Sequence, residues 1–382
     1  MNRRSLLITA AGLALSPLMG GCRGANNATL QIRLLENSVP AQLLQEFQRR
    51  TEAGRVSFSA SPQLMDLFNL LQTWSQPQPD PNPSPFNLPL RSPQPTRRAD
   101  LVTLGDYWLS AAIQQQLIQP LSLDALAGWE QIPPRWQQLV QRDQQGQLSP
   151  DGERWAAPYR WGSLVIAYNV EAFEPLGWTP TNWEDLWRPE LQGHLSLLDS
   201  ARSVIGLTLK KLGQSVNASD LAAIPTLATE LAALQRQVKF YGSEDYLQPL
   251  LLGDSWAAVG WSTEVLPVLK RDRRIAAVVP TSGTILTSDL WVRPATVAGS
   301  APPELNRWLE FCWQPAVAAQ LSSLSLAASP ILVTRDRSQL PAAVQANSVL
   351  LPPAEVLERS EFLLPVPTED YRRLWETMRR MG

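Results

Sequence analysis

The stretch LLDSARSV, Leu197–Val204, sets a carboxylate (Asp199), a guanidinium (Arg202) and two hydroxyls (Ser200, Ser203) between an apolar run and a helical one. Hydroxyls at a helix N-terminus make an anion site, whereas Asp199 beside Arg202 reads either as a structural pair or as a clamp for a carboxylate or phosphate. GDYW, Gly105–Trp108, stands in the same situation at the end of ADLVTL. Catalytic alternatives are thin. The single histidine, His194, excludes every constellation that needs two imidazoles, and its place after WRPELQG suggests an exposed turn. GDS at Gly253–Ser255 lacks the later histidine of Gly-Asp-Ser hydrolases, and no Walker or Gly-x-Gly-x-x-Gly pattern is present. Paired carboxylates and fifteen tryptophans leave a secreted carbohydrate-active enzyme as the enzymatic alternative.

The elements that must position these residues alternate. TLQIRLL, ADLVTL, SLVIAYN and HLSLLDS read as strands, and PAQLLQEFQRRT as a helix opening at Pro40 and burying Leu43, Leu44 and Phe47. Ile224, Leu227, Leu231, Leu234 and Val238 step by three and four and predict an amphipathic helix over 221–238. Trp308, Leu309 and Cys312 recur at helical spacing, which makes Cys312 a buried small hydrophobe. Strands alternating with helices predict α/β architecture with parallel sheets in two lobes, and ligands of such sheets bind beyond the strands' carboxyl ends. Prolines at nearly alternate positions from Ser75 to Arg98 forbid helix and central strand and predict an extended insertion.

With 382 residues, 44% hydrophobic and 18% charged, the chain is globular and long enough for two domains. A net charge of −2 gives no basic footprint for nucleic acid. The N-terminus, MNRRSLLITAAGLALSPLMGGC, has a basic start, an apolar stretch and small residues before Cys22, the layout of an export signal. It fits a Sec-type signal cut near Ala25 or a lipoprotein signal in which Cys22 receives lipid; Arg3–Arg4 also fit a twin-arginine signal. With Cys22 lipidated, Cys312 has no disulfide partner.

Several segments together resemble the solute-binding proteins of bacterial ABC importers, in their spermidine/putrescine-binding branch. They are VPAQLLQEFQRRT, ADLVTLGDYW, APYRWGSLVIAYN, NWEDLWRPELQGHLSLLDSARSVIGLTLKKLG, AAVGWSTEV and FCWQPAVAAQL, in family order between about Thr29 and about Pro330. The resemblance implies the two-lobe type II periplasmic-binding fold: a signal at 1–22, a first lobe over 28–158 carrying the insertion 75–98, a second over 159–279, a return over 280–325, and a C-terminal segment, 326–382, packed on the second lobe. Crossings are expected near APYRWG, near VVPTSGTI and after Leu324. It implies a non-enzymatic, monomeric, exported receptor, held at the membrane's outer face through Cys22, that closes on its solute and delivers it to a permease and ATPase; no cofactor or metal is expected.

For a polyamine, the resemblance implies aromatic rings around the methylenes and carboxylates on the ammonium groups. Tyr107, Trp161 and Trp261 supply the rings. The family's acidic positions fall on Ser200, Ser203 and Ser288, and two of its aromatics on Leu35 and Leu286, so the charge must come from Glu36, Asp106, Glu264 and Asp289, or else the solute is less cationic: amino-acid-like, a neutral polyol or an anion. Trp183 and Trp187, four apart, are assigned to packing. Ferric iron held by tyrosines ranks behind these readings, because the six tyrosines include no adjacent pair.

Overall fold

A computed structural model describes residues 30–51, 55–76 and 98–380. The signal with Cys22 lies outside the described residues, and so does nearly all of the proline-rich stretch. Strands β1 (Leu30–Leu35), β2 (Val56–Ser61), β3 (Leu101–Gly105), β4 (Ala157–Asn169), β5 (Leu195–Leu198), β6 (Val238–Gly242), β7 (Ala257–Trp261), β8 (Ile275–Val278), β9 (Ile285–Pro294) and β10 (Glu361–Phe362) carry the architecture. They join in the order β2-β1-β3-β9-β4-β7-β5-β6, with β8 added to β4 and β10 to β9.

The strand β4 links the two halves. Its first part, Ala157–Ser163, pairs with β9, and its second, Leu164–Asn169, pairs with β7 and β8. One continuous buried strand thus pairs with strands of both halves. The chain returns through Pro280–Gly283 into β9, which runs antiparallel to both β3 and β4. The result is the two-lobe periplasmic-binding fold. One core gathers Leu43, Phe47, Trp291, Trp308 and Cys312; a second gathers Trp183, Leu195, Ile205 and Leu231. Trp183 and Trp187 are packing residues, with indoles that donate to the carbonyls of Gly283 and Glu230. Cys312 is buried, which pushes its thiol far up and leaves it a hydrophobe.

Three expectations change. The helix expected over 221–238 is only Leu227–Gln235, because Gln237 accepts from Leu195 at the sheet edge and Val238 opens β6. The third crossing lies past β10 rather than after Leu324. Ile331, Leu332, Val344 and Phe362 belong to the first core, Phe362 against Trp136, while the helix Thr368–Arg379 places Tyr371 and Met378 in the second. The segment 326–382 is therefore divided between the lobes rather than packed wholly on the second. His194 is no free turn residue either: its ring stacks on Trp256 at 3.9 Å, and burial lowers its pKa.

Candidate ligand-binding cleft

Between the lobes lies a cavity of about 630 Å³. Its first-lobe wall comes from the ends of β1 and β3 and from the start of the helix Leu64–Ser75, with Glu36, Met65, Tyr107 and Trp108 facing in. The second-lobe wall comes from the end of β6 (Ser243, Glu244), the end of β7 (Trp261) and the start of the helix Ser262–Arg271 (Thr263, Glu264). The floor is where β4 meets β9.

Strand alternation sorts that floor. Arg160 pairs with Asp289 and Gly162 with Thr287 across the two strands, and all four line the cavity. Trp161 and Ser288 form the pair between them and point the other way. Trp161 borders the cavity through its place on the strand, but its ring is 1% exposed and packs on Trp136 at 5.4 Å. Ser288 is fully buried and donates to the Arg160 carbonyl. Neither presents its side chain to a solute, which corrects both expectations.

Asp106 is a third correction. It is 4% exposed, does not line the cavity, and accepts from Thr287 Oγ1 at 2.9 Å and the Ser288 amide at 3.0 Å. Its carboxylate ties the turn bearing Tyr107 to β9. Burial raises its pKa from 3.8 to about 7 against those hydrogen bonds. Across that window the folded protein keeps a proton that the unfolded chain has released, so stability falls as pH rises from 3.8 towards 7. Asp106→Asn is expected to flatten this slope in urea unfolding followed between pH 5 and 8; an unchanged slope would assign it elsewhere.

The segment that opened the sequence reading does not reach the cavity. Ser200 caps the helix Ala201–Lys211, accepting from the Ser203 amide, and Ser203 is 3% exposed. Asp199 pairs with Arg379 at 3.3 Å. Arg202 lies 4.3 Å from the Tyr371 ring and donates to the Leu364 carbonyl and Asn217. LLDSARSV is here a helix cap bound to the C-terminal helix, so the expected roles of Ser200 and Ser203 are corrected to structural ones. Ser255 of the GDS tripeptide is fully buried and does not line this cavity.

What converges on the cavity is Glu36, Tyr107, Trp261, Glu264 and Asp289. Tyr107 is 48% exposed, and its ring folds back over Gly105, where a Cβ would come within 2.6 Å of Cε1. Burial, then the charges of Asp289, Asp106 and Glu264, raise its pKa, so its hydroxyl lies in the field of both walls. The Trp261 amide donates to Tyr246 Oη at 3.2 Å, and that hydroxyl in turn donates to Glu264. Gly260 makes room, since a Cβ there would meet the Tyr246 ring at 2.1 Å. Glu264 is open to the cavity yet closely walled; desolvation and nearby Glu244 raise its pKa against the Tyr246 hydrogen bond. The sequence reading missed Glu244 because it recognised no strand after the 221–238 helix, where Val238–Gly242 delivers it, and missed Arg160 by choosing the neighbouring Trp161.

Among the described residues the cavity thus holds four carboxylates, Glu36, Glu244, Glu264 and Asp289, against one guanidinium, Arg160, with Tyr107, Trp108 and Trp261 between them. Of the six tyrosines only Tyr107 lines it, which gives no cluster of phenolates for ferric iron. Residues 97–354, more than half of the chain, match the family described as bacterial extracellular solute-binding protein. The chain belongs to that family. This solute-binding protein is 25% identical over 356 residues to the spermidine/putrescine-binding periplasmic protein of Escherichia coli K12, covering 93% of its own length and 92% of that relative. Its fold matches a spermidine/putrescine ABC transporter substrate-binding protein of Streptococcus pneumoniae with a TM-score of 0.75 at 21% identity, over 92% and 98% of the two chains. It also matches thiaminase I of Bacillus thiaminolyticus with a TM-score of 0.58 at 13% identity, over 92% and 99%. The fold therefore hosts an enzyme as well as receptors, and function has to be argued from the cleft.

Proposed function

We propose that this protein is a non-catalytic, extracytoplasmic receptor that captures a polyamine or related amine and presents it to an ABC permease and ATPase. The observation that carries the reading is the excess of carboxylates over guanidinium in an aromatic cleft, with acids on both walls. An ammonium drawn from water needs such partners, and ring faces add cation–π attraction while covering methylenes. Closure of the lobes about β4 and the return into β9 buries the solute from both sides. The names of the relatives add to the case for a polyamine. Attachment through Cys22 and a monomeric state complete the proposal.

Isothermal titration calorimetry on the chain from about Arg23 is the test, with putrescine and spermidine first and sugars and phosphate esters as controls. Saturable heat with an amine is expected. Heat from a sugar or phosphate ester with none from any amine would overturn the reading. Binding is expected to weaken as pH falls, and sooner than ordinary glutamates would dictate, because Glu264 takes up a proton more readily than they do.

A further inference from the structure

Resting on the amine reading of the cleft, we propose that its floor is an α-amino-acid subsite, so that the preferred solute is an amine that also carries a carboxylate. Arg160 and Asp289 are 9% and 10% exposed at their side chains, yet they join through Nε and Oδ2 alone. No other described residue bonds the Arg160 guanidinium or the Asp289 carboxylate, so both Nη groups and Oδ1 are left to the cavity that the two residues line. A saturated structural pair would use the bidentate fork that arginine offers to carboxylates. This pair uses one prong and turns the rest to the cleft.

The surroundings favour an anion beside Arg160. Gly162, two residues on, shares the strand face of Arg160, and a Cβ there would meet Thr263 Cγ2 at 2.8 Å and Ser262 Oγ at 2.9 Å. The start of the helix Ser262–Arg271 therefore abuts the same floor and brings its unpaired first-turn amides and the Thr263 hydroxyl. A solute carboxylate on the Arg160 Nη groups and a solute ammonium on Asp289 Oδ1 satisfy all of these at once. A second ammonium then reaches Glu244 and Glu264 on the second-lobe wall. A simple diamine, by contrast, brings a cation to a floor that already carries the Arg160 guanidinium and offers it donors rather than a second acceptor.

Two pairs of compounds that differ only by a carboxylate test this: ornithine against putrescine, and lysine against cadaverine, each titrated into the wild-type chain and into Arg160→Gln. The expected result is at least tenfold tighter binding of each amino acid than of its diamine. In Arg160→Gln the amino acids lose at least tenfold while the diamines hold or gain. Tighter binding of putrescine than ornithine, or an equal loss of both in the variant, overturns the subsite and leaves the amine receptor standing. Silence from all four compounds overturns the subsite, and silence from spermidine as well removes the amine reading. Should Arg160→Gln not fold, as read by circular dichroism, the wild-type ratios decide.

Discussion

Replacing Tyr107 and Trp261 together by alanine is expected to weaken amine binding by roughly 30- to 1,000-fold, about 2–4 kcal/mol for two desolvated ring contacts with a cation. The two rings stand on opposite walls: Tyr107 is carried by the turn after β3, and Trp261 by the last residue of β7. Neither is fully buried in a core. The Tyr107 ring is half exposed, and Trp261 is only partly buried, with its structural bond made by its backbone amide. The loss should therefore appear in calorimetry while the unfolding midpoint moves little. Each single variant should give part of the effect, because lobe closure brings both rings onto one solute. Undiminished binding by the double variant would remove this cleft as the site.

The same residues show what was legible in the sequence. Elements with strong local signals were readable: the Pro40 helix start with Leu43 and Phe47 four apart, the apolar strands before GDYW and DSARSV, and Trp183 and Trp187 as packing. Resemblance to a family pointed to Tyr107 and Trp261, and to Glu264 as a compensating acid beside Trp261; all three line the cavity. The errors are of a different kind. Whether a strand residue faces cleft or core depends on register, and a shift of one reverses the answer. Trp161 and Ser288 were assigned to the cleft by their family positions, although Arg160 and Asp289, one place away on each strand, take that face. A guanidinium inside the unbroken buried run Ala157–Ala167 was the available signal, since a buried charge demands a partner. Asp199, Ser200 and Ser203 were misplaced for a reason no local pattern reveals. The segment is held by Arg379 on Asp199 and Tyr371 under Arg202, about 170 residues further along the chain.

Asp289→Asn is expected to destabilise the protein by about 3–5 kcal/mol, the cost of leaving a buried guanidinium without its counter-charge. Burial works against the charge on Arg160, but Asp289 beside it outweighs that and holds its pKa above the usual value. Removing the carboxylate therefore exposes the full desolvation cost on one side of the pair. The double change Arg160→Met with Asp289→Leu should recover most of the loss, because a buried ion pair is worth little over apolar groups of similar volume. Chemical unfolding at neutral pH measures both. The two variants also separate stability from recognition. If the pair served only to hold β4 against β9, the double variant would bind amino acids as the wild type does. If the unused prongs of Arg160 and Asp289 take the solute's head group, the double variant should be stable and still lose ornithine. A single variant as stable as the wild type would mean that water entering the cleft already satisfies Arg160, and that the pair contributes nothing to holding β4 against β9.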